Sequence, residues 1–242
     1  MSNTIRTLCV LLTLLLALGA TSAPLFAEPS KGLTDKIVQL QKKYQHLRSL
    51  EFDFSQATLT NGRIKRGSGS ALFYRPAVQP GGSSSPANGI MRWNYFEPTP
   101  QTIINDGKEL SIYTPQDKQL IVTSAQDMES DITYAIFTGT KSLQDAFTLA
   151  PPDKLFILNE PPAGFDAVLL TPRQPHPQVK RIQLWMGGDM TIHRVLMEDH
   201  FGALTELTFD RVRFNTLPTG NAQQLQSLLK LELVPGTETI RQ

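Results

Sequence analysis

The chain has 242 residues, 40% hydrophobic and 19% charged, with a formal charge of +1 and a single cysteine, Cys9. Near-neutrality without a basic run excludes a nucleic-acid-binding surface and strong attraction to an anionic membrane. One cysteine excludes a disulfide framework, so burial and hydrogen bonds must hold the fold.

Residues 1–27 pass from Arg6 through an apolar run, Leu8 to Leu18, to small residues ending at Ala27. That is the pattern of a cleaved secretory signal peptide, with cleavage expected after Ala27 or, alternatively, Ala23. Cys9 lies inside it, in no lipidation pattern, which leaves residues 28–242 as a cysteine-free, formally neutral, exported chain.

Leu33, Ile37, Leu40, Tyr44 and Leu47 recur at helical spacing, so residues 33–48 are predicted to form an amphipathic helix. The period then changes to two. Leu50, Phe52 and Phe54 alternate with Glu51, Asp53 and Ser55 in a half-buried strand. Asn61-Gly62 is a two-residue hairpin signal, and the return strand runs to about Tyr74. Residues 76–89, rich in Pro, Gly and Ser, are expected to be a flexible insertion. Further strands are predicted near 91–97, 101–105, 109–114, 118–123, 154–159, 165–171, 179–187, 191–198, 203–214 and 228–234, with turns at Asp106-Gly107 and Gly188-Asp189. Between them, Ile132, Ile136, Phe137, Leu143, Ala146 and Phe147 have helical spacing, so 127–147 reads as two short helices jointed at Gly139. The class is mainly β with helices (α+β). It is expected to be an unclosed, curved antiparallel barrel of about eleven strands.

The chain offers no constellation for catalysis. His46, His176, His193 and His200 match no metal-ligand spacing. The "RGSGS" stretch at 66–70 lacks the spacing of a nucleophile elbow. No phosphate-binding glycine motif occurs. What the strands do supply is bulk. Met91, Trp93 and Tyr95 share one strand face; Ile182, Leu184 and Met186 share another, with Trp185 pointing the opposite way. Such a concave face is either a core filled by the first helix or a cavity left for an apolar guest.

Six segments together resemble the periplasmic outer-membrane lipoprotein carrier family, LolA-like: "FDFSQ" at 52–56, "YRP" at 74–76, "MRWNYFEP" at 91–98, "IINDGKELSIYTPQDKQ" at 103–119, "EDHFGALTELTFDRVRFN" at 198–215 and "LELVPGTE" at 231–238. The resemblance implies an unclosed barrel with a helical lid over a hydrophobic cavity, no enzymatic activity and no cofactor. It implies a monomeric carrier that takes acylated lipoproteins from an inner-membrane ABC transporter to an outer-membrane receptor; the alternative is a lipid- or lipoprotein-sensing module of the same fold. Candidate cavity residues are then Phe52, Phe54, Met91, Trp93, Tyr95 and Ile112, with Ile132, Ile136, Phe137, Leu143 and Phe147 from the lid. Arg75, the arginine of "YRP", matches the family's latch, which bonds lid backbone when the cavity is empty. In the family the Arg-Pro turn leads quickly into the Trp strand. Here residues 76–89 intervene.

Overall fold

The computed structural model describes residues 31–75, 89–125, 136–137, 142–161, 163–217 and 222–242. The expected signal peptide, the insertion save Gly89, and much of 127–147, including Ile132 and Gly139, lie outside the described residues. Among the described residues no helix is long and apolar enough to cross a membrane.

Helix α1 (Lys31–Gln45) is followed by the hairpin β1 (Ser49–Thr60) and β2 (Arg63–Tyr74), then by β3 (Ile90–Glu97), β4 (Gln101–Asn105), β5 (Glu109–Thr114) and β6 (Gln119–Ser124). The short helix α2 (Leu143–Ala146) runs directly into β7 (Phe147–Ala150). Next come β8 (Asp166–Pro172), β9 (Arg181–Met186), β10 (Ile192–Glu198), β11 (Leu204–Phe214), helix α3 (Ala222–Leu229) and β12 (Glu238–Arg241). All twelve strands join one sheet in the order β12-β6-β5-β4-β3-β2-β1-β11-β10-β9-β8-β7, and β12 and β7 form its two open edges. Every pairing is antiparallel except β12 with β6.

The long hairpin β1–β2 lies at the middle of this order. Its turn needs positive φ twice, and Asn61 (50°) and Gly62 (74°) supply it. Register then sorts the side chains. Phe54 stands opposite Phe209 on β11 and Gly69 on β2. Trp93 stands opposite Ala71 and Ile103. Phe52, Phe54, Phe73, Met91, Trp93, Leu207 and Phe209 therefore belong to one apolar face, with Ile182, Leu184 and Met186 from β9. Helix α1 covers that face with Ile37, Leu40 and Tyr44, all buried. Burying three such side chains is worth roughly 1.5–3 kcal/mol each.

Polar anchors fix where α1 lies. The Tyr44 hydroxyl accepts a hydrogen bond from Ile192 N at 2.9 Å, and its burial pushes the phenol well above its ordinary pKa. Lys43 Nζ donates to Thr191 Oγ1 at 2.8 Å and Asp189 O at 2.9 Å, and sits 4.1 Å from the centre of the Phe214 ring.

The predicted strand at 154–159 is not a strand. Phe156 packs on the opposite, convex face against Trp185 and Leu196. The backbone of this strap is satisfied by side chains rather than by a neighbouring strand. Gln183 bonds Asp153 O and Phe156 O, Glu206 accepts from Asn159 N, and Arg194 donates to Asn159 O and Glu160 O. The predicted strand at 228–234 is likewise overturned. Its first residues end α3, Arg92 takes the carbonyls of Leu228 and Lys230, and the Tyr113 hydroxyl accepts from Val234 N. The strand at this end is β12, further on, and β7 begins at Phe147, where a helix was expected.

Candidate functional site

Alternation along β1 brings Phe52 and Phe54 to the centre of the concave face, and aromatic rings gather round them. Phe52 lies 4.8 Å from Phe209, 5.7 Å from Trp93 and 6.1 Å from Phe73, centre to centre. Phe54 lies 4.5 Å from Trp93 and 5.0 Å from Tyr95. Gly69 makes room for this. A Cβ there would meet Asn94 O at 2.0 Å and the Phe54 ring at 2.7 Å. The glycines of "RGSGS" are thus a packing device: a side chain at 69 would collide with Phe54.

The site is closed by residues from between β6 and β7. Phe137 is 3% exposed and its ring stands 5.0 Å from Phe209, 5.1 Å from Phe52, 5.6 Å from Phe73 and 6.0 Å from Tyr44. Ile136, Leu143 and Phe147 are buried in the same cluster. Helix α2 is held to α1 by polar contacts, Leu143 N to Gln41 Oε1 at 3.2 Å and Gln144 Nε2 to Thr34 O at 3.5 Å. Its own first turn is capped by Ser142, whose hydroxyl accepts from Asp145 N. Among the described residues these polar contacts are exposed or half-buried, and the apolar packing of Ile136, Phe137, Leu143 and Phe147 lies beneath them.

Among the described residues, one cavity borders Phe137 and another borders Ile136. One, of about 20 Å³, is bounded by Tyr44, Leu50, Phe73, Arg75 and Phe137 among others. The other, of about 230 Å³, lies between Ile136, Leu143, Ala146 and Phe147 on one side and residues 172–176 on the other. The larger volume falls short of the 300–1,000 Å³ of ordinary ligand sites. Phe52, Phe54, Phe73, Trp93, Phe137 and Phe209 pack together on the concave face.

Arg75 borders the smaller cavity together with Phe137. Its guanidinium donates to Gln45 O at 2.6 Å and reaches Leu47 O at 3.5 Å, at the C-terminal end of α1. A cation there also suits the helix dipole. The lid carbonyls expected for Arg75 fall largely on residues outside those described.

Of the other candidates, Phe52, Phe54, Met91 and Trp93 are buried in the aromatic cluster, and Tyr95 packs on its margin with its hydroxyl donating to Gln56 Oε1 at 2.8 Å. Ile112 stands opposite Ile103, on the Trp93 face, but is only half-buried and outside the cluster. Sequence reasoning singled out neither Phe73 nor Phe209 for the site, though the alternation in "LTELTFDRVRF" marks Phe209 as inward-facing.

A profile of the family described as "Outer membrane lipoprotein carrier protein LolA" matches residues 45–222, from the end of α1 to the start of α3. An outer-membrane lipoprotein carrier protein of Alkalilimnicola ehrlichii is 30% identical over 204 residues, which is 83% of this chain and 81% of the relative. One from Dechloromonas aromatica is 28% identical over 180 residues, 73% of this chain and 76% of the relative. Among solved structures, a LolA superfamily protein from Nitrosomonas europaea is similar at a TM-score of 0.37 and 13% identity, covering 77% of this chain and 94% of that one. With its strands β1 to β11 all inside the matched region, the chain belongs to the outer-membrane lipoprotein carrier (LolA) family.

Proposed function

We propose that this protein is a carrier, not an enzyme, which shelters the acyl chains of lipoproteins in the periplasm. It takes them from an inner-membrane ABC transporter and hands them to an outer-membrane receptor. The mature carrier is residues 28–242, a single domain with 76–89 as an insertion, working as a monomer. The observation that carries this reading is Phe137, a ring from the segment between β6 and β7 seated where a guest would lie.

Energetics favour such a device. Burying acyl chain gains about 0.8 kcal/mol per CH₂. Two or three long chains, fully buried, would exceed the practical affinity ceiling of roughly 18–21 kcal/mol, and cargo would never leave. A plug that refills the site competes with the cargo and lowers net affinity to a level compatible with hand-over. Ligand shifts the balance only by its preference for the open state.

The test is titration of the mature protein with a dipalmitoyl-cysteinyl peptide in a calorimeter. Saturable binding with a negative heat-capacity change is expected from burial of apolar surface. Absence of binding, or binding equal to that of the unacylated peptide, would overturn the reading.

A further inference from the structure

Among the described residues, two buried side-chain nitrogens have no hydrogen-bond partner, Trp93 Nε1 and Arg194 Nε. They are not equivalent. Arg194 lies on the convex face, and its Nη1 already donates to Asn159 O and Glu160 O. The indole N–H is the only polar group of the Trp93 side chain, and it can only donate. Trp93 is 8% exposed and sits in the concave cluster between Phe52, Phe54, Phe73 and Tyr95. Buried donors are nearly always paired, so an orphan in the wall of a binding site needs an explanation.

We propose that the Trp93 indole N–H is a specificity point of the cavity, a donor that receives the ester carbonyl of a bound acyl chain. This rests on the carrier reading and adds to it a chemical class. Donating to an ester satisfies a group left unsatisfied in the closed protein, so the contact is made only when cargo enters. A neutral acceptor fits and a charged one does not. The rings round Trp93 carry no cation to match a carboxylate or phosphate. Arg92, the neighbouring cation on β3, points to the other face and is engaged with Leu228 O and Lys230 O. The site therefore reads the acyl ester rather than a headgroup, and it prefers an ester-linked chain to an ether-linked chain of the same length. The preference follows from pairing: an ether-linked guest leaves the buried donor unsatisfied, which a site built for a hydrogen bond discriminates against.

The test uses two lipopeptides that differ only in linkage. One carries S-[2,3-bis(palmitoyloxy)propyl]-cysteine, the other its 2,3-bis(hexadecyloxy)propyl analogue. The chain has two tryptophans, so the ¹⁵N–¹H spectrum has two indole signals, and Trp93→Phe identifies the one that belongs to Trp93. The ester lipopeptide is expected to move that signal downfield and to bind about tenfold more tightly than the ether analogue. Trp93→Phe is expected to bring the ratio of ester to ether affinity, measured on one preparation of the variant, down to about one; a ratio that stays near ten would overturn the inference. Equal affinities for the two lipopeptides in the wild type, with an unmoved indole signal, would overturn the inference and leave the carrier reading standing. Failure of both lipopeptides to bind would overturn the carrier reading and the inference with it.

Discussion

The Phe137 ring stands 5.1 Å from that of Phe52, tilted by 39°. The two residues come from opposite sides of the site, one from the central strand and one from the segment that leads to β7. Their contact joins the two into one core, on the surface that the carrier proposal assigns to the guest.

Removing the plug should therefore separate stability from binding. Phe137→Ala deletes a buried ring, and phenylalanine-to-alanine changes in cores typically cost about 3–5 kcal/mol. The same deletion removes the competitor of the cargo. The variant is expected to melt at lower temperature yet hold a dipalmitoyl-cysteinyl peptide at least about tenfold longer, since each 1.4 kcal/mol taken from the closed state is a factor of ten. Thermal unfolding and probe dissociation, measured on one preparation, check both halves. Faster dissociation would show that Phe137 is part of the bound wall and not a plug.

The latch role proposed for Arg75 is tested separately. Its charge-assisted bonds to Gln45 O and Leu47 O hold the end of α1 beside Phe137, and such bonds contribute roughly 1.5–3 kcal/mol. Arg75→Leu is expected to favour the open state, raise affinity for acylated cargo and slow its transfer to a receptor-bearing acceptor. Transfer at the wild-type rate would reduce Arg75 to a cap on α1.

Gly69→Ala is expected to destabilise by about 3 kcal/mol or more, because the new methyl meets backbone at Asn94 O as well as the Phe54 ring. Gly188→Ala, where a Cβ meets nothing within 4 Å, serves as the control. Urea midpoints at constant slope compare the two. A neutral Gly69→Ala would mean that the tilted Phe54–Trp93 contact is not as tightly seated as its 4.5 Å spacing implies.

The anchor of α1 carries a pH signature. Asp189 is held down to about 2, chiefly by the Thr191 hydroxyl, against opposition from desolvation, with further help from the Thr191 amide and Lys43. A carboxylate whose pKa is lowered by folding adds stability that is complete above its unfolded value of about 3.9 and is lost as pH falls through its folded value. Wild type should exceed Asp189→Asn in urea midpoint by a constant margin from pH 7 to about 4. That margin should shrink as pH approaches 2. A margin that shrinks between pH 7 and 5 would point to a different titrating group.

Much of the sheet was legible because period-two alternation and turn chemistry agreed. The strand at 109–114 and the hairpin at Asn61-Gly62 were read residue for residue. The faces of β3 and β9 were also legible, since Met91 and Trp93 alternate with Arg92 and Asn94, and Ile182 and Leu184 with Gln183. Apolar content misled at 154–159, where Phe156 is buried without a ladder because Gln183, Arg194 and Glu206 supply its strap's hydrogen bonds. No local pattern announces such long-range side-chain pairing. The four-residue strands β7 and β12 were missed for a related reason: each is set by its neighbour, β8 or β6, more than by its own sequence. At the site, bulk and face were readable. The roles of Gly69, which clears space for Phe54, and of Phe137, which packs over Phe52 of β1 and Phe209 of β11, emerge only in three dimensions.

Mass spectrometry of what co-purifies from the periplasm with the full-length gene product tests the central claim most directly. Native purification of wild type and Phe137→Ala should recover acylated lipoproteins with both, and more with the variant, whose plug is gone. Recovery of no acylated polypeptide with either protein, from cells making lipoproteins at normal levels, would contradict the account.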